Sequence, residues 1–352
     1  MVPSILEVIL AGLGLTGLTA VASCWLAGRL ARATSFGALD QPGDRSLHSA
    51  PTPRTGGVAI LSTLTLGAGM GVLLAWSLKH RQLDLSDGLG IVGLGTAVLA
   101  GHSFWSDLHA TTILPRLGVQ VAVATIAVLA APLAIDTVGF SLGYLTLPAT
   151  VVALVWMTNL YNFMDGMDGF AAGMTIIGFG TLSALYFRGG QPSIGWLALL
   201  IIGATAGFLV YNFPPARIFL GDVGSVPLGF LAGCLSLMGI RDRLFDVWVP
   251  LLIFSPFVVD ATVTVARRLL RGQRFWRPHR EHYYQRLVLA GWGHRRTVLA
   301  EYTLMLACAA TAVAYTRVNE VIQLSLLSGW AAVYCLLMFR VRALETRRSR
   351  YS

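Results

Sequence analysis

Charge is what this sequence has least of. Only 12% of its 352 residues are charged, Lys79 is its single lysine, and Asp and Glu together number 17, against 55% hydrophobic residues and a mean hydropathy of +0.67. A soluble domain of this size cannot coat itself with so little polar surface, so a water-soluble globule is excluded. Cysteine is scarce too. Cys24, Cys234, Cys308 and Cys335 lie inside apolar stretches without paired spacing, which argues against a disulfide framework or a cysteine zinc site. The basic lead of a cleavable signal peptide is missing between Met1 and Glu7, and the apolar run continues past residue 25, so this stretch is expected to stay as a span. The net charge of +9 sits in a few loops rather than along one face, so no nucleic-acid partner is expected.

What is present is a series of apolar runs, each long enough to cross a bilayer at roughly 17 to 25 residues. They fall near 5–28, 57–78, 88–105, 117–135, 141–158, 170–187, 193–211, 223–240, 247–266, 298–316 and 320–339. The fold class expected is all-α, a polytopic membrane helix bundle of about 11 transmembrane helices. Alternate loops sort the basic residues: twenty lie on one side, including nine arginines from Arg267 to Arg296, and six on the other. The positive-inside rule then places the N-terminus outside and the C-terminus in the cytoplasm. Residues 1–340 form one transmembrane catalytic domain with cytoplasmic loops near 29–56, 105–116, 158–169, 211–224 and 267–297, followed by a basic tail over 341–352.

Polar motifs gather in those cytoplasmic loops. Asn159-Leu-Tyr-Asn-Phe-Met-Asp-Gly-Met-Asp-Gly169 sets Asn159, Asn162, Asp165 and Asp168 three residues apart, on one face of a helix or tight turn. Two acids and two amides at a membrane surface suit a divalent cation or a phosphorylated, hydroxyl-rich ligand; a capped helix end would explain one such acid, not the ladder. Phe219-Leu-Gly-Asp-Val-Gly-Ser225 puts Asp222 at a helix entrance, where freed N–H groups meet phosphate and a carboxylate holds Mg2+. A plain N-cap is the bland alternative. The first loop, Asp40 to Gly57, offers Arg45, His48 and Arg54 as phosphate donors on a proline-restricted backbone, or is a turn-rich connector. In the basic loop His279 and His282 are spaced as for zinc, yet Arg280 and the arginines around them favour anion binding. Phe104-Trp-Ser-Asp-Leu-His109 supplies Asp107 at the inner end of the third span.

Together these motifs resemble the polyprenyl-phosphate N-acetylhexosamine-1-phosphate transferases, glycosyltransferase family 4, over nearly the whole chain. The Asn-Asp ladder and the Arg-Ser-x-His-x-x-Pro-Thr-Pro-Arg loop are more similar to the branch that initiates O-antigen and related glycans than to the phospho-muramoyl-pentapeptide branch. The resemblance implies transfer of a sugar-1-phosphate from a UDP-N-acetylhexosamine to undecaprenyl phosphate in the bacterial inner membrane, with release of UMP and a need for Mg2+ or Mn2+. It implies that Asp222 ligands the metal and that Asp165 and Asp168 serve metal, sugar or nucleotide. Asn159 and Asn162 would orient the donor, His279, Arg280 and His282 would clasp the diphosphate, and Asp107 would lie beside the acceptor phosphate. Membrane lipids are the surrounding partners, and a homodimer stays open.

One departure from the family pattern is Ser106, where two adjacent aspartates are usual. A phosphate monoester is already mostly dianionic at neutral pH, with its second ionisation near pH 6, so the acceptor scarcely needs a base. Asp107 is therefore expected to suffice, and Ser106→Asp to change the rate less than Asp222→Ala. A transporter is the main alternative from another class. It would place its acids at mid-span, whereas these gather at one surface with Asp260 as the clearest exception. A purely structural protein would leave the ladder unexplained.

Overall fold

The computed structural model describes residues 5–32, 39–40, 51–77, 88–109, 111–135, 142–274 and 279–349. Thirteen helices follow in chain order: α1 Ile5–Leu30, α2 Gly56–Ser77, α3 Leu89–His109, α4 Ile113–Ala130, α5 Thr146–Phe163, α6 Phe170–Arg188 and α7 Pro192–Asn212. After them come α8 Asp222–Arg241, α9 Trp248–Ile253, α10 Ser255–Leu270, α11 Tyr283–Leu287, α12 Gly293–Tyr315 and α13 Glu320–Ser349. A two-residue antiparallel pair, β1 Leu39–Asp40 with β2 Thr52–Pro53, is the one sheet among the described residues. Arg45 and His48 of the first loop, and the outer-loop residues Lys79 and Arg81, lie outside the described residues.

Ten helical stretches are individually long and apolar enough to cross a membrane. The predicted span at 247–266 is there as two helices, α9 and α10, broken at Phe254. The cause is Pro256, which has no N–H to give to Leu252 O and disfavours helical geometry just before it; Ser255 Oγ donates to that carbonyl instead, at 2.8 Å. The pair still runs from one end of the bundle to the other, which makes eleven passes among the described residues.

Side-chain bonds fix which helix ends lie together. At one end Asn162 of α5 meets Asp222 of α8, Asp168 meets His294 of α12, and Arg286 of α11 meets Glu345 of α13. At the other, Arg241 Nη1 donates to Ala131 O beyond α4, Arg188 Nη2 to Thr316 beyond α12, and Tyr315 Oη to Asp246 ahead of α9. The alternation puts the starts of α2, α4, α6, α8 and α12 and the ends of α1, α3, α5, α7, α10 and α13 on the first side. That is the side rich in arginine.

Helix α8 forms the axis of the bundle, buried from Val223 to Ile240. Small residues allow this, because without water to expel, helices in lipid associate through close van der Waals approach. Gly229 and Gly233, four apart, lie flush on α5: a Cβ at Gly229 would stand 2.8 Å from Met157 O. Gly203 and Gly207 do the same for α7 on α1, where a Cβ at Gly207 would stand 2.1 Å from Ala20 O and Ser23 Oγ donates to Ala204 O at 2.6 Å. Helices α1 and α13 are the least buried of the spans and present most of their apolar side chains outward.

Candidate active site

The first loop reaches the site by pairing its backbone with the segment before α8. Phe219 N donates to Pro53 O at 2.8 Å, Gly56 N to Phe219 O at 2.9 Å and Gly57 N to Leu220 O at 2.8 Å. Glycine is required where the chains touch, since a Cβ on Gly57 would lie 2.2 Å from Gly224 N. Gly221 sits at φ +70°, the left-handed region that admits glycine readily. Its turn leaves Asp222 as the first residue of α8, where the helix dipole favours a carboxylate.

Three elements converge on that carboxylate. Arg116 Nη1 of α4 donates to Asp222 Oδ2 at 2.6 Å, and Asn162 Nδ2 of α5 donates to Oδ1 at 2.9 Å and to Ser225 Oγ at 3.0 Å. Arg54 Nη2 stands 4.0 Å from Oδ1 while its Nη1 is 3.5 Å from Asp40 Oδ1. Asp107 at the end of α3 and Asp165 after α5 also act on Arg54 electrostatically; burial works to lower the Arg54 pKa, and the four acids together raise it. Two guanidiniums, Arg54 and Arg116, among four carboxylates leave the acids in excess. Burial raises the Asp165 pKa well above its ordinary value, against the pull of Arg54 and an N–H bond from Gly221, while Asp222 and Asp40 add to the rise.

The polar ladder does not share one face. Helix α5 ends at Phe163, so the two amides project from a helix and the two acids from the turn behind it. Asn159 looks into the bundle, donating to Gln120 Oε1 of α4 at 2.6 Å. Asp168 turns away from Asp222: its Oδ2 accepts from Ala216 N at 3.0 Å, and His294 Nδ1 of α12 lies 3.1 Å from its Oδ1. Asn212 fastens the same turn, accepting from Gly169 N at 3.0 Å and donating to Ile218 O at 2.9 Å. Ser106, 1% exposed, bonds Thr111, whose hydroxyl accepts from Arg116 Nε at 3.2 Å. Ser106 thus ends a chain of bonds that leads to Asp222.

The basic loop docks on the turn that carries Asp165. Tyr284 Oη donates to Phe163 O at 3.1 Å and would touch any Cβ placed on Gly166. His279 and His282 stand ring to ring at 4.9 Å. Burial, then His282 and Arg268, push the His279 pKa down to about 4, so at neutral pH His279 is a neutral hydrogen-bonding group rather than a cation. Arg268 and Arg267 grip Glu281, and Arg280 is half-buried beside them. Among the described residues no group of three or more His, Cys, Asp or Glu could hold a metal by protein ligands alone.

Arg116, Gln120, Asn212, His294 and Glu345 have no counterpart in the motif reading. Each is a lone polar residue in an apolar or basic stretch, and only partnership across the bundle marks it.

Comparison with known proteins agrees with this geometry. The family model described as Glycosyl transferase family 4 matches residues 89–240, the stretch that carries Asp107, Arg116, Asn162, Asp165 and Asp222. A probable undecaprenyl-phosphate N-acetylglucosaminyl 1-phosphate transferase of Bacillus subtilis is 34% identical, over 77% of this chain and 75% of its own length. A decaprenyl-phosphate N-acetylglucosaminephosphotransferase of Mycobacterium tuberculosis is 30% identical over 82% and 79%. A phospho-N-acetylmuramoyl-pentapeptide-transferase of Moorella thermoacetica is 32% identical over 76% and 85%. With a third of the aligned residues shared across three quarters of both chains, and with Arg116, Asn162 and Asp222 inside the matched stretch, this membrane protein belongs to glycosyl transferase family 4.

Proposed function

We propose that the chain transfers an N-acetylhexosamine-1-phosphate from a UDP-sugar to undecaprenyl phosphate at the cytoplasmic face of a bacterial inner membrane, as the first membrane step of a cell-surface glycan. N-acetylglucosamine is the leading donor sugar, since the Bacillus and Mycobacterium relatives are named for it. The observation that carries the reading is the meeting of Asp222, Asn162, Arg116 and Arg54 at one end of a membrane bundle. A lipid-borne anion arrives there from the bilayer and a nucleotide from water.

An oxygen of the lipid phosphate attacks the sugar-bearing phosphorus of the UDP-sugar; that P–O bond forms as the bridging P–O bond to UMP breaks. Two dianions give two dianions, so no net proton moves and no strong base is required. The obstacle is repulsion between anions, which Arg54 and Arg116 reduce by leaving carboxylates for phosphate oxygens. Asn162 holds the Asp222 carboxylate in place meanwhile, and Asp107 lies within electrostatic reach of Arg54 at the acceptor side.

Mg2+ is the proposed cofactor, with Mn2+ able to replace it. The acid excess around Arg54 fits a hard cation bound by one or two carboxylates plus substrate oxygens, with Asp222 and Asp165 as its protein ligands. When bound, the ion would neutralise charge on both the attacking and the leaving phosphate.

The test is UMP exchange: purified protein, undecaprenyl phosphate, a panel of UDP-amino sugars and labelled UMP, with Mg2+ present or chelated. Label entering one UDP-sugar, only with lipid phosphate and Mg2+, supports the reading and names the donor. No exchange with any donor from well-folded protein sinks it and favours transport.

A further inference from the structure

Asp260 stands apart from the acids described so far. It lies in the second turn of α10 and is 8% exposed, and the transfer chemistry above makes no use of it. A carboxylate at such a place must be fully paired. Asp260 accepts four donors: His282 Nδ1 at 3.2 Å, Tyr283 N at 2.9 Å, Tyr284 N at 3.1 Å and Thr264 Oγ1 at 3.2 Å. Three of the four come from consecutive residues, so an acid on one helix caps the first turn of another.

An ionised carboxylate only accepts, so its bond to His282 requires the hydrogen on Nδ1. That makes Nε2, on a residue only 4% exposed, the nitrogen left for a second partner. The imidazole plane is held by Tyr284 at 5.9 Å and 17° and by Phe163 at 6.3 Å and 27°. Phe163 ends α5, two residues before Asp165, so the ring stands against the turn that carries that acid. The charged groups around the pair are His279 and Glu281 on the loop, Arg268 on α10 itself, and Glu301 on α12, which interacts with Asp260 electrostatically. Ring nitrogens held by a carboxylate in this way make good donors to anionic oxygen, because the carboxylate offsets the charge of a second ring proton.

We propose that Asp260 is a positioning residue for the transfer: by holding His282 through Nδ1 and seating the first turn of α11, it presents His282 Nε2 to the diphosphate oxygens beside Asp165. The inference rests on the transfer reading given above. It also explains why an acid sits where a transporter would keep one.

The test is a double-mutant cycle in the UMP-exchange and turnover assays. Asp260→Asn retains the shape but gives one donor a donor to face and loosens the Nδ1–H tautomer. Its kcat is expected to fall roughly 30-fold to 100-fold with KM for the donor changed less than threefold. The variant carrying both Asp260→Asn and His282→Gln should be no slower than the slower single variant, because Asp260 acts through His282. Thr264→Val, which removes only the local donor, should stay within threefold of wild type. Multiplying losses in the double variant, or Asp260→Asn within threefold of wild type, would overturn the proposal. Should Asp260→Asn lose its melting transition, the cycle is run with Asp260→Glu, which keeps the charge and moves it by one methylene. Absence of exchange in the wild type sinks the transfer reading itself, whereas exchange with multiplying losses sinks this inference alone.

Discussion

Gly57→Ala asks whether the first loop and the start of α8 are one unit. The added methyl would lie 2.2 Å from Gly224 N, 2.5 Å from Gly224 Cα and 2.7 Å from Val223 C. All three are backbone atoms, and Gly224 N is already committed to Gly221 O at 2.9 Å, so no rotamer change relieves the overlap. Ordinary contacts lie at about 3.5 Å, so the two segments must part by about 1 Å. Arg54 rides on the displaced segment and reaches Asp222 at 4.0 Å before any displacement. Misplacement of that size costs roughly 10²-fold in rate where reacting groups must be held in line, which is about 2.7 kcal/mol of barrier. The assay is turnover at saturating donor and lipid phosphate, beside a melting curve in detergent. Gly69→Ala is the comparison: it lies on the same helix with no atom within 4 Å of an added Cβ, and should leave turnover unchanged. Turnover of Gly57→Ala within threefold of wild type would refute the idea that backbone contact at this point sets the site.

Three further outcomes are expected. Asp222→Ala removes the partner of Arg116 and Asn162 and should cut turnover at least ~10³-fold, whereas Ser106→Asp, placed where Thr111 and Arg116 can meet a carboxylate, should change it less than ~10-fold; parallel kcat measurements decide. Glu345→Ala leaves the 10%-exposed Arg286 side chain without its bidentate partner at 2.6 and 2.5 Å, so trypsin should cut after Arg271 or Arg274 sooner than in wild type; an unchanged digestion time course would refute it. His279, with its pKa lowered from 6.5 to about 4, binds fewer protons folded than unfolded between those values. Stability from this group is therefore complete above about pH 6.5 and lost as pH falls toward 4, and His279→Gln should flatten that part of the melting-temperature profile.

The spans were legible because composition and run length alone define them in lipid, and the arginine asymmetry sorted the ends that the side-chain bonds later grouped together. The break at Phe254 was hidden: a window of hydropathy passes over Pro256, while the backbone cannot. Asp222 was readable from its glycines, since a turn that needs φ > 0 announces a helix start. The Asn-Asp spacing misled in one respect, because a period of three implies a common face only while the helix lasts, and α5 stops at Phe163. Arg116 and Gln120 could not be singled out, being ordinary polar residues near the start of an apolar helix. Their partners lie far away in sequence, on α8 and α5. The basic tail read from 341 continues α13 over residues 341–349, and Glu345 among its arginines is the one that grips Arg286.

The backbone pairing of Gly56 and Gly57 with Phe219 and Leu220 has a consequence for how the protein is made. Roughly 160 residues separate the partners, which at about 5 to 20 residues per second is some 10 to 30 seconds of synthesis. During that interval α2 is already in the bilayer while its first two N–H groups await their acceptors. The site cannot close until α8 threads into the space left among α2, α3 and α5. A chain released before α8 carries seven of the spans and lacks both the buried helix they pack around and the acceptors of the first loop.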